Sequence, residues 1–234
     1  MKSCALDSAR FYTIQVLSMI MVERVTRYVP SSWVHTITWL VTLHGAGVGW
    51  NNLLKRLSTD LYSIRTMQVA AQRYIPPASV EWNRLVISSL TFHWAARMSR
   101  SVVPVWLWFV AAVLSADTGF YWVHRSLHTR RWYYIHRQHH EYRDTHPEVA
   151  NHKSFIEFMC TLVTDMIFPC LCGGTMSQLI AWSLIGTLTN LEGHSGKGVC
   201  FIQSDFHDSH HTIGGGNYGV HGLWDQLCGT VICK

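Results

Sequence analysis

The sequence predicts an all-α fold, an integral membrane helical protein with a histidine-rich helical domain at one membrane face. Three observations carry this expectation. Of the 234 residues, 48% are hydrophobic and only 14% are charged, where about 25% charged is usual for a globular chain. Several apolar runs approach the roughly 20 residues that a helix needs to cross a bilayer. Twelve of the 15 histidines fall between His124 and His221, many at the three- and four-residue spacing that puts side chains on one helix face.

The length suits one sizeable domain. Eleven Trp and nine Tyr fit anchoring at a membrane interface. The net charge of +5 shows no aromatic-interleaved basic pattern, so no nucleic-acid partner is expected. A basic surface facing a membrane explains it better. The seven cysteines, Cys4, Cys160, Cys170, Cys172, Cys200, Cys228 and Cys233, are odd in number and form no C-x-x-C. They argue against a disulfide framework or a thiolate zinc site and suit a reducing cytosolic face.

Phe11 to Val22 is an apolar run broken by Gln15 and Ser18. It is short for a span and lacks the basic start and cleavage site of a signal peptide, so an interfacial or buried helix is expected. Residues 31–50 carry no formal charge and have the length of a transmembrane helix, with His35, His44 and three glycines weakening the signal. Residues 51–82 are polar and mixed, with a break at IPP, 75–77. Residues 83–98 read as an amphipathic helix. Residues 102–123 are the best span, and Asp117 is its only charge; an ionisable residue there is a functional candidate. Arg125, Arg130, Arg131, Arg137, Arg143 and Lys153 follow, which puts that stretch on the cytosolic side. Residues 155–172 and 175–190 read as a membrane hairpin that returns the chain to the same side. Two regions result: 1–101, membrane-associated or transmembrane, and 102–234, with the last N-terminal span, the histidine boxes and the hairpin at 155–190.

His124 and His128 form H-x-x-x-H; His136, His139 and His140 form H-x-x-H-H; His207, His210 and His211 repeat that spacing in HDSHH. Each box is expected to aim its imidazoles at one point. Eight ligands exceed the four of a closed zinc site and suffice for two ions. His194, in GHSG and 13 residues before the third box, is expected as a ninth. Asp117 is expected either to fix the tautomer of a box histidine or to cap its helix end. His146, His152 and His221 are expected to orient ligands or satisfy local hydrogen bonds. His35, His44 and His93 read as structural. Asn217, Tyr218, Trp224 and Asp225 read as a turn that packs the third box.

Neutral imidazole binds Fe, Zn, Cu and Ni alike. A redox pair is favoured by the ligand count, by neighbouring apolar helices able to admit a lipid tail, and by the lack of a base like the Glu of H-E-x-x-H. An oxygenase needs open positions for O2 and a dry pocket. Its electrons come from outside, because no flavin or nicotinamide fingerprint occurs; GGG at 214–216 does not sit in a βαβ unit.

The stretch D-x-x-F-Y-W-x-H-R-x-x-H at 117–128, H-R-Q-H-H-E-Y at 136–142, G-H-S-G at 193–196, H-D-S-H-H at 207–211 and N-Y-G…W-D…G-T from 217 to 230 resembles the fatty acid hydroxylase or sterol desaturase superfamily. The resemblance covers about half the chain. Its spacings look closest to the branch of C-4 methylsterol oxidases and sterol side-chain hydroxylases. It implies a non-haem di-iron centre, O2 as co-substrate, a cytochrome b5-like electron donor, and residence in the endoplasmic reticulum membrane with a cytosolic active site. Arg137, where many relatives carry Lys, and the GGG run depart from the pattern; the run is expected to reshape the substrate entrance. The expected activity is O2-dependent hydroxylation of a C–H bond in a sterol or long-chain lipid. The alternatives are a lipid desaturase on the same site and a non-redox, zinc-dependent membrane hydrolase.

Overall fold

A computed structural model describes residues 7–28, 33–57, 103–143, 145–167, 171, 174–203 and 205–233, with isolated positions at 87, 90, 91 and 94. The expectations for 58–82 and for most of 83–98, including His93, lie outside the described residues, as do the side chains of His35 and His44. All regular structure among the described residues is helical, and it contains no strand. Cys160, Cys200, Cys228 and Cys233 are free thiols.

Helix α1, Ser8–Thr26, is capped by Asp7, whose carboxylate accepts from the Arg10 N–H at 3.2 Å. Its buried face is Ser8, Gln15, Met19, Glu23 and Thr26. Its outer face carries Leu17, Met21 and Val25, which are 55%, 70% and 79% exposed. Arg10, Thr13, Arg24 and Arg27 are exposed as well, so the apolar exposure is a stripe, and the buried face is more polar than that of a water-facing amphipathic helix. Helix α2, Trp33–Leu57, runs beyond the apolar segment 31–50 into the polar residues that follow.

Helix α3, Val105–Leu127, begins after Pro104. Among the described residues it is the one helix long and apolar enough to cross a membrane. Trp108, Phe109, Ala112 and Val113 are on its buried side, and Trp106, Leu107, Leu114 and Trp122 face outward. The second box follows on a short helix, α4, Tyr133–His136, and a 3-10 turn, His139–Glu141.

The described parts of the expected hairpin segments are both helical. Helix α5, Phe155–Leu162, is capped by Ser154 and continues as five residues of π-helix, Val163–Ile167. Helix α6, Met176–Gly193, opens on a reciprocal cap in which Thr175 and Gln178 each accept the other's backbone N–H. Two orphan amides of the first turn are satisfied in this way. Helix α6 packs chiefly against α1 and α2, while the π-helical segment packs against α3. The two halves meet where Trp182 Nε1 donates to the Asp165 carbonyl at 2.6 Å. Met19, Trp108, Phe109, Leu179 and Ile180 form the buried core between α1, α3 and α6. Helices α7, Phe206–Ile213, and α8, Leu223–Cys228, then bring the third box and the C-terminal turn back onto α3.

Candidate metal centre

All nine singled-out histidines come together, in two groups. His124, His128, His136, His140 and His210 form one; His139, His194, His207 and His211 form the other. Within each group the candidate ligand atoms lie within 4.8 Å of one another. The groups abut, with ring centroids 5.2 Å apart for His136 and His139 and 4.5 Å for His140 and His211.

The boxes do not each aim at one point, which corrects the expectation from spacing. Residues four apart share a group: His124 with His128, His136 with His140, His207 with His211. The remaining histidine of the second box, His139, crosses to the other group, and so does His210 of the third box. The reason is angular. His139 and His140 are neighbours in sequence, as are His210 and His211, and side chains of adjacent residues do not face the same way. The second and third boxes therefore interlock, each supplying a pair to one group and a single ring to the other.

Four of the nine rings donate from behind to a backbone carbonyl. Nδ1 of His124 donates to the Tyr218 carbonyl at 2.7 Å and that of His210 to the Gly216 carbonyl at 2.7 Å. Nδ1 of His194 donates to the Asn190 carbonyl at 2.8 Å, and that of His139 to the His152 carbonyl at 3.3 Å. Glu157 lies 2.9 Å from Nδ1 of His136. A neutral imidazole that donates through Nδ1 carries a lone pair on Nε2. The facing Nε2 atoms of His139 and His194 are 3.3 Å apart, and those of His124 and His136 are 3.1 Å apart. Two lone pairs at that range form no hydrogen bond. They repel unless a cation lies between them, and nitrogens so spaced suit a shared ion at metal–nitrogen distances of about 2.0–2.1 Å.

Burial first, and crowding by the other imidazoles second, pushes the protonation of His136, His139, His207, His210 and His211 well below the ordinary histidine range. Burial likewise lowers His128 to about 4 and His140 and His194 to about 3. The rings are neutral at neutral pH, which is the ligating form.

Asp117 is buried, but its partners are not box histidines. It accepts from the Tyr12 hydroxyl, from the Val220 N–H at 2.9 Å and from the His221 N–H at 3.4 Å. It thus ties α1 and the 217–222 loop to α3, and that loop supplies the carbonyl behind His124. Asp225 holds the same loop, accepting from the N–H groups of Tyr218 and Gly219 at 2.8 Å each. Asn217, at φ 55°, bonds the carbonyls of Phe206 and Ile232. Trp224 donates to Thr118. His152 bonds Glu141 at 2.8 Å, His221 bonds Gln15 at 2.6 Å, and His146 is buried.

The GGG run serves the metal side, and its residues are not among those lining the cavity described below. Gly214 and Gly215 take φ of 74° and 79°, which favour glycine. A Cβ on Gly216 would collide with the Thr230 carbonyl, and the Gly216 carbonyl is the one that His210 uses.

Two acids escaped the sequence reading. Glu157 is the third residue after the cap Ser154, and S-x-x-E reads locally as a capping box; its side chain is instead beside His136. Glu192 is buried, and one of its oxygens accepts the N–H groups of Val199, Cys200, Phe201 and Ile202 at 2.7–3.2 Å. It fixes the loop that returns the chain to the third box.

A cavity of about 310 Å³ opens onto both groups. His124, His136, His139, His194 and His207 form one part of its lining, and Val113, Phe120, Phe158, Leu162, Met166 and Trp182 form much of its apolar wall.

A family model described as fatty acid hydroxylase matches residues 109–230. A very-long-chain aldehyde decarbonylase of Oryza sativa subsp. indica is 30% identical over 165 residues, covering 62% of this chain and 62% of its own. The human fatty acid hydroxylase domain-containing protein 2 is 28% identical over 144 residues, 58% of this chain and 43% of its own. A protein of Dictyostelium discoideum named as a candidate methylsterol monooxygenase is 30% identical over 141 residues, 56% of this chain and 53% of its own. The matched part thus spans less than two thirds of each of these relatives. No solved structure matches the chain. The family match runs from α3 to the C-terminal turn and takes in every histidine of both groups, and the chain belongs to the fatty acid hydroxylase family.

Proposed function

We propose that this protein is a membrane-embedded, di-iron lipid oxygenase that uses O2 and external electrons to hydroxylate a C–H bond of a long-chain lipid or sterol. The observation that carries the reading is the pairing of two histidine groups, with Nε2 lone pairs turned inward, at the wall of one apolar cavity. The first ion is assigned to His124, His128, His136, His140 and His210, and the second to His139, His194, His207 and His211. Bound iron supplies the O2 chemistry. The chain's own residues hold the rings in one tautomer, exclude water with Phe120, Phe158 and Trp182, and align a lipid along α3. All-imidazole sites accept zinc as readily. The family and the names of its members favour iron.

Membrane insertion is supported by α3 and by the exposed apolar stripe of α1. Trp106 and Trp122 face outward near the two ends of α3 and are separated by roughly 24 Å at 1.5 Å per residue, as interfacial anchors are. In this reading residues 1–101 form the membrane-associated region and 102–234 the metal-bearing one, with 155–190 entering the membrane as a hairpin. The exposed Arg130, Arg131, Arg137 and Arg143 support a cytosolic orientation of this face and offer a docking surface to an acidic donor of the cytochrome b5 kind; the endoplasmic reticulum is the membrane proposed. A second reading, conversion of a long-chain aldehyde, is favoured by the name of the rice relatives; desaturation uses the same site.

The test is metal analysis of detergent-purified protein, followed by lipid turnover with O2 and a reductant. About two irons per chain and an oxygenated lipid product support the proposal. Zinc that iron cannot replace, with turnover independent of O2, refutes it.

A further inference from the structure

Asp165 is the charged group of the cavity that metal binding leaves without a task. Glu157 faces His136, and Asp117 is bonded to Tyr12 and the Val220 N–H. Lys153 neighbours His136, His139 and His194. Asp165 lies in the π-helical segment Val163–Ile167; such segments are rare and recur at functional sites. Its side chain is exposed rather than packed, it lines the cavity, and Thr164 lies beside its carboxylate. Trp182 fixes it by bonding its carbonyl at 2.6 Å. In a chain that spans a membrane, a carboxylate among apolar walls is costly and marks function by default.

We propose that Asp165 is a substrate-recognition residue that accepts a hydrogen bond from a hydroxyl group of an uncharged lipid. The inference rests on the lipid-oxygenase reading above. An ionised carboxylate accepts and does not donate, so its match is an O–H. A free carboxylate or phosphate head placed against the Asp165 carboxylate meets like charge, whereas an uncharged hydroxyl does not. Asp165 is eight residues beyond Glu157, roughly 12 Å along a helix axis, and Glu157 marks the metal end. The hydroxyl is thus bound along the cavity wall from the metal end rather than at it. Lys153 is also an electrostatic neighbour of Asp165, and a pair closed on itself would be indifferent to the lipid's head group.

The experiment is equilibrium binding of three matched probes to the detergent-purified full chain: a long-chain primary alcohol, its methyl ether and the corresponding fatty acid. Wild type is expected to prefer the alcohol to the ether about tenfold or more, as one hydrogen bond to a charged group provides. Asp165→Leu should erase the preference by weakening the alcohol alone, and Asp165→Asn, which keeps an acceptor oxygen, should retain part of it. Ether affinity and metal content should be unchanged in both. Equal affinity of wild type for alcohol and ether, tightest binding of the fatty acid, or equal weakening of both neutral probes in Asp165→Leu overturns the assignment and leaves the lipid cavity standing. The wild-type comparison holds even if a variant fails to fold. No uptake of any probe by wild type overturns both this inference and the lipid reading beneath it.

Discussion

Glu157 and His136 are each about 2% exposed in their side chains and lie 2.9 Å apart, carboxylate oxygen to Nδ1, oblique to the ring N–H. A carboxylate behind a ligating imidazole fixes the ring and raises its basicity, and losing such a partner typically costs about 10–100-fold in metal affinity. Glu157→Ala is expected to lower iron affinity by that order at the five-histidine group, with Glu157→Gln intermediate because it keeps an acceptor. Metal titration of apo protein checks it. Unchanged affinity in both variants would make Glu157 a packing residue.

The five-and-four division predicts that the ions can be lost separately. His139→Ala leaves three rings in its group, so about one of two ions should be released; His136→Ala leaves four in the other group and should weaken rather than empty it. Activity should vanish in His139→Ala while the protein stays membrane-inserted. Iron per chain, measured beside membrane fractionation, checks this. Loss of both ions in every variant would mean one shared cluster rather than two sites.

The interlocking explains what was legible in the sequence. Imidazole is a strong ligand at any of these positions, so the boxes and His194 could be picked out by residue type and spacing. Their division could not, because it depends on where the short helix α4 and the 3-10 turn His139–Glu141 place two adjacent rings. The acceptors behind the rings were hidden for a different reason. The carbonyls of Tyr218, Gly216, Asn190 and His152 belong to the backbone, and every residue type offers one. Glu157 was masked by a pattern that explains it locally as a cap. The helices at 8–26 and 105–127 were legible from apolar runs. The polar buried face of α1 was less so, since Gln15 and Ser18 look like interruptions until Gln15 is seen to face His221.

Asp117 and Tyr12 tie α1 to the metal region, so their loss should appear first as instability. Tyr12→Phe removes the donor to one carboxylate oxygen, and leaving a buried acceptor unpaired costs about 1–3 kcal/mol. Asp117→Asn should behave similarly, and its metal retention should fall less than in any variant of a box histidine, because it acts on His124 only through the 217–222 loop. Thermal denaturation in detergent, with iron content measured on the same samples, checks both. A metal loss in Asp117→Asn equal to that of His124→Ala would place Asp117 in direct support of a ligand.

Gly186 tests whether the cavity is the substrate path. It sits inside α6 and lines the cavity, and a Cβ there would meet nothing within 4 Å. Glycine in a helix interior costs about 1 kcal/mol relative to alanine. Its presence where a methyl group fits freely implies that the empty width is used. Gly186→Ala should raise thermal stability by up to that amount, with metal content unchanged. Gly186→Leu should fill the space beside Trp182 and Thr187 and shift turnover toward shorter or thinner lipids, leaving iron at its wild-type level. A chain-length profile of products from the two variants and wild type checks it. An unaltered profile in Gly186→Leu would mean that the lipid reaches the histidines by another route.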